Sequence, residues 1–185
     1  YPPGLIGTFP AYYQMMPPVE TRSIVYSDDP DGKPIDLYQP DAWIRHKWGL
    51  LDPDQDAVLQ IILPEAKSRE ERVHIVLDHL RKCLARARQF SAAMRIRAIP
   101  PEDVSLTLFA GNAVPTSRTA IVDRNTGKVE VAEYEAGDGK VLMSSAVMDE
   151  REGGEWSPSV HSPIQWHQVL IMRATHLGIT NHNEF

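Results

Sequence analysis

A chain of 185 residues, 42% hydrophobic and 24% charged, has an ordinary globular composition and enough length for one domain with a substantial core. Its net charge of −6 gives no electrostatic footing for nucleic acid, and its single cysteine, Cys83, excludes an internal disulfide framework and a cysteine-rich zinc site. No apolar run reaches the roughly 20 residues that cross a bilayer.

Residues 1–20 hold five of the 15 prolines and read as an irregular segment with a helical turn near Ala11–Met16. Ser23–Tyr26 suits a short strand, closed by the Asp28–Gly32 turn. A short helix is expected around "PDAWIRHKWGLL". Asp52 then serves as N-cap with Pro53 at the first helical position, and Pro64 closes that helix. The strongest helix follows. Ser68 and Glu71 have capping-box spacing, and Val73, Leu77, Leu80, Leu84, Ala87 and Met94 recur on one face until Pro100 and Pro101 stop it. Arg81, Lys82, Arg86, Arg88, Arg95 and Arg97 in its C-terminal half, against Glu65, Glu70 and Glu71 near its start, complement the helix dipole. The same basic side chains offer a peripheral contact to phospholipid head groups.

Beyond the prolines the periodicity changes. Val104–Gly111 reads as a strand, and "SRTAIVDRNTGKVEVAEY" reads as a β-hairpin turning at Asn125-Thr126-Gly127. Gln168–Thr175 suits a buried strand or a helix segment, which periodicity cannot separate. Helices, a strand, a hairpin, an acid turn, an apolar run and a histidine, in that order, suggest the second half of an α/β sheet domain.

Two features carry chemistry. Gly137-Asp138-Gly139 places one acid on a sharp loop, as a hydrolase acid requires, though Asp-Gly is also a favoured plain turn. Four histidines follow, His161, His167, His176 and His182, of which His176 lies just past the last apolar run. Acid before histidine is the α/β-hydrolase order Ser…Asp…His. The nucleophile is missing: no G-x-S-x-G occurs, no HGGG-like stretch builds an oxyanion hole, and Ser144 and Ser145 follow the acid. Asp149, Glu150, His161 and His167 are metal-type donors, but their spacing is irregular and no H-x-x-x-H pair exists.

Three stretches resemble the lecithin:cholesterol acyltransferase-like family of α/β hydrolases. "PAYYQMMP" (Pro10–Pro17) is similar to its Pro-Ser-x-Tyr-x-Leu-Leu-Pro segment. "AGDGKVLMSSA" (Ala136–Ala146) resembles its Gly-Asp-Gly-Thr-Val…Ser-Ala motif, with Lys140 in place of the usual Thr. "THLGI" (Thr175–Ile179) resembles its histidine loop. The resemblance implies that Asp138 is the catalytic acid, that His176 is the base and that the serine lies before Tyr1. Residues 1–185 would then be the C-terminal part of an α/β-hydrolase, inactive alone, with 20–100 a mostly helical cap and 101–185 core strands. An ester or lipid substrate and no cofactor follow from the same resemblance. Trp43 and Trp48 would line an acyl pocket or simply pack the cap helices together. The rival reading is a noncatalytic binding or scaffold domain of the same fold. Whether water or an alcohol accepts the acyl group stays open, as does the oligomeric state. The compartment is not fixed by these residues, with the cytoplasm as default.

Overall fold

Proline sets where the early helices begin. In the computed structural model, which describes residues 1–149 and 162–181, α1 (Pro3–Ile6), α2 (Pro10–Gln14) and α3 (Pro40–His46) each start on a proline. Its missing N–H costs nothing there and its fixed φ suits the first turn. β1 (Ile24–Tyr26) lies between α2 and α3. The expected helix over "PDAWIRHKWGLL" is broken, because Lys47 adopts a left-handed φ of 54° and a 3₁₀ turn follows at Gly49–Leu51. Asp52 caps as expected, its side chain accepting from the Asp54 N–H at 2.9 Å. The capped element is a 3₁₀ turn that leads into α4 (Asp56–Ile62).

α5 (Arg69–Met94) is the longest element. Ser68 Oγ accepts from the Glu71 N–H at 3.1 Å, while the Glu71 carboxylate reaches back to the Lys67 amide at 2.9 Å. The inward face is Arg72, Val76, Leu80, Cys83, Leu84 and Ala87, rotated from the expected one, and Val73 and Met94 are exposed. Arg72 can face inward because Asp56 pairs it in a two-pronged contact at 3.0 Å. The helix also ends before the prolines. Arg95 and Arg97 lie beyond it, and its last turn holds no basic residue, so only Arg81, Lys82, Arg86 and Arg88 of the expected cations sit on the helix.

The described chain divides into two compact units, one of Tyr1–Ala93 with Ile121–Val129, the other of Met94–Ala120 with the described residues from Glu130 onward. In the first unit, Tyr13, Tyr38, Trp43, Leu80, Cys83, Leu84 and Ala87 form the main core cluster. Its polar atoms are paired locally: Tyr13 donates to Gly7 O at 2.9 Å, Tyr38 to Met16 O at 2.7 Å and the Trp43 indole to Leu37 O at 2.9 Å. The Trp48 indole donates to Gly127 O at 2.7 Å. Both tryptophans therefore pack this unit together. A shallow pocket of about 390 Å³ lies elsewhere in the unit, beside Tyr26, Arg45 and Arg124, and neither tryptophan lines it.

In the second unit, β2 (Thr107–Gly111) pairs in parallel with β5 (Gln168–Met172), in register from Thr107 opposite Gln168 to Gly111 opposite Met172. The apolar run near the end of the chain is thus a strand. β3 (Val114–Val122) and β4 (Val129–Gly137) form the hairpin, whose tip, Ile121–Val129, is counted with the first unit; the three-stranded sheet has the order β1-β3-β4. The hairpin turn, Asp123 to Lys128, needs Gly127 at a φ of +72°. α6 (Met143–Ala146) follows the acid turn and carries Ser144 and Ser145. Ala110, Val147, Met172 and Ala174 are buried in this unit. The architecture is mixed α and β, with small sheets.

Candidate functional site

Parallel strands bring their carboxyl ends to one edge, where side chains from separate loops can meet. β2 and β5 end side by side at Gly111 and Met172, and four residues past Met172 the chain reaches His176. β4 ends at Gly137, and Asp138 bridges to Val114 at the start of β3. Three separate chain segments thus converge on the acid.

The loop after β4 is an Asx turn, in which an aspartate side chain replaces a backbone acceptor. Asp138 Oδ1 accepts from the Lys140 N–H at 2.8 Å and the Val141 N–H at 2.7 Å, while the Asp138 N–H donates to Val141 O at 3.1 Å. Lys140, the departure from the resembled motif, takes part only through its backbone in these contacts. Gly139 sits at a φ of +92°, a region costly for any residue with a Cβ. Gly111 answers a different need. A Cβ there would stand 2.4 Å from the Ala174 carbonyl and 2.8 Å from Asp138 Cβ, so a bare backbone is what lets β2 approach the acid.

His176 is joined to Asp138 twice. Its backbone N–H donates to Asp138 O at 2.8 Å, and its Nδ1 lies 2.9 Å from Asp138 Oδ2. The Asp138 side chain is 11% exposed and that of His176 is 49% exposed. Burial, the largest influence, pushes the Asp138 carboxyl up. The Val141 amide, His176 and the Lys140 amide together outweigh it and hold the group below its ordinary value. Asp138 is accordingly an anion at neutral pH. An anionic Oδ2 requires the proton on Nδ1. With the proton on Nδ1, Nε2 carries the lone pair, and no hydrogen bond occupies Nε2 among the described residues. An oriented imidazole with a free basic nitrogen can take a proton from a hydroxyl brought against it.

The described ones among the other candidates are not brought here. His167 Nδ1 accepts from the Leu106 N–H at 3.0 Å, a contact that fixes the entry to β2. Among the described residues, no hydrogen bond joins Ser144 or Ser145 to His176. His161, His182 and Glu150 lie outside the described residues. Among the described residues, no three His, Cys, Asp or Glu side chains group as metal ligands.

Two site residues escaped the sequence reading. Gly111 closes an unremarkable strand. Thr116, 5% exposed, accepts from the Gly139 N–H at 2.9 Å and donates to Val114 O at 3.0 Å. The one signal was the alternation Val114-Pro115-Thr116 at a strand start, which turns Thr116 to the same side as Val114. No family model, no curated protein and no solved structure matches the chain.

Proposed function

We propose that Asp138 and His176 are the acid and base of a Ser-Asp-His triad in a serine hydrolase or acyltransferase of α/β-hydrolase type. The substrate is an ester, of lipid character by the resemblance, and the serine comes from sequence outside these 185 residues. The observation that carries the reading is the 2.9 Å contact between His176 Nδ1 and Asp138 Oδ2, made past the ends of two parallel strands. In this mechanism the serine Oγ attacks the ester carbonyl while its proton passes to Nε2. Asp138 holds the ring and stabilises the imidazolium without taking the proton. Nε2 then protonates the leaving alkoxide. Water or an alcohol next gives its proton to Nε2 as it attacks the acyl-enzyme, and Nε2 returns that proton to the serine. Side chains and backbone donors suffice, so no cofactor is required. The helical segment 20–100 is the proposed cap, with peripheral lipid contact through Arg81, Lys82, Arg86 and Arg88.

The test uses the natural full-length chain, fluorophosphonate labelling and turnover of an activated ester. Asp138→Asn should lower turnover by at least roughly 10²-fold with the fold intact, since the amide is nearly isosteric but no longer sets the tautomer. His176→Ala should be comparably damaging and the double change should add little, because triad members act as a unit. Asp149→Asn, the off-site control, should cost less than about tenfold. Near-full activity in Asp138→Asn, with melting unchanged, would reduce Gly137-Asp138-Gly139 to a plain turn. A full-length chain that neither labels nor turns over ester favours the binding or scaffold reading. Stoichiometric labelling of Ser144 or Ser145 in the 185 residues alone would overturn the placement of the nucleophile.

A further inference from the structure

We propose that Thr116 is the positioning residue of the acid loop, acting on Asp138 through the Gly139 amide; this rests on the reading of Asp138 as the acid. Each N–H group of the turn can be followed to its acceptor. In residues 138–141, the Asp138 N–H goes to Val141 O, and the Lys140 and Val141 N–H groups go to Oδ1. Those three bonds close the turn on itself. Only the Gly139 N–H leaves it, and its acceptor is the Thr116 hydroxyl at 2.9 Å.

The hydroxyl is held in one orientation. Its proton is committed to Val114 O at 3.0 Å, which leaves a lone pair for Gly139. Val114 itself bridges to Asp138 through the backbone, so the first residues of β3 grip the loop at two points. The glycines flanking the acid also fit this arrangement. A Cβ on Gly137 would fall 2.4 Å from Thr116 Oγ1, so the hydroxyl fills the space a side chain would take. Gly139, at its positive φ, aims its amide at the same oxygen. Branching at Cβ restricts χ1, which makes threonine a stiffer prop than serine. The prop sets where Oδ2 stands, and hence where the imidazole stands.

The experiment compares Thr116→Val and Thr116→Ser in the full-length protein. Valine keeps the shape and removes the acceptor, while serine keeps the acceptor. T116V should lower kcat by about 10- to 100-fold with KM little changed, the scale expected for a misplaced catalytic group, and T116S should recover most of that loss. The second readout is the downfield proton signal of the Nδ1–H···Oδ2 bond, measured where circular dichroism shows the variant folded. It should persist in T116S and vanish or move in T116V. If T116V does not fold, T116A is judged by the same two readouts. A T116V protein that keeps both rate and signal, or a T116S protein that loses both, would overturn the proposal. Should Asp138→Asn retain activity while the signal still follows Thr116, the catalytic reading falls and the positioning role stands.

Discussion

Gly111→Ala adds one methyl group where β2 meets the acid. Ordinary contact begins at 3.4 Å, whereas the new Cβ would lie 2.4 Å from the Ala174 carbonyl and 2.8 Å from Asp138 Cβ. The surroundings must therefore open by about 1 Å on one side and about 0.6 Å on the other. Neither neighbour is the far end of a flexible side chain. One is backbone on the segment leading to His176, and the other is the root of the acid itself, so relief separates the two groups that must touch. A misplacement near 1 Å costs about 10²-fold in rate, and overpacking of this kind about 1–3 kcal/mol in stability. Ester turnover and thermal melting of the full-length variant measure the two effects, and the downfield Nδ1 proton reports the hydrogen bond independently of turnover. A G111A protein with wild-type melting and an unshifted signal would refute the reasoning.

Leu84→Ala removes one of the most deeply buried side chains of the first unit, packed among Tyr13, Tyr38, Trp43 and Leu80, and should cost about 2–5 kcal/mol in urea unfolding; a loss well below that range would mean the cluster is loosely packed. The carboxyl of Asp138 lies below its ordinary value in the folded chain, so its contribution to stability is complete above roughly pH 4 and is lost as pH falls through the lowered value. Other carboxylates titrate in the same window, so the measurement is the difference between wild type and Asp138→Asn, which should shrink on acidification; a constant difference would contradict the assignment.

What the sequence made legible was chemistry that is local in the chain. A proline can be read as a helix start, Asn125-Thr126-Gly127 as a hairpin turn, and an acid between glycines as a loop, because neighbours decide each of these. Residue type and chain order left four histidines after Asp138, and the pairing with His176 was what the family resemblance implied. Contacts between distant segments could not be read in this way. Met94 ends α5 ahead of the prolines, and shortly afterwards Ala98 pairs with Ile164 and its N–H donates to Pro163 O at 3.2 Å, so a distant segment takes up chain that periodicity would have kept helical. Arg72 faces inward because of Asp56, sixteen positions away. Thr116 and Gly111 look like ordinary strand residues until the acid loop lies against them.

The parallel pairing of Thr107 with Gln168 closes a loop of about 60 residues, at an entropic cost of roughly 3.6 kcal/mol plus a constant. A hairpin such as β3–β4 closes over a handful of residues and can form early, taking the acid turn with it. The histidine segment has no such local route. It reaches Asp138 only when β5 finds β2, a long-range search of the kind that slows folding. The acid loop is thus a product of local folding and the dyad a product of global folding. Any change that loosens the β2–β5 seam would disconnect the imidazole while the hairpin and its Asx turn persist.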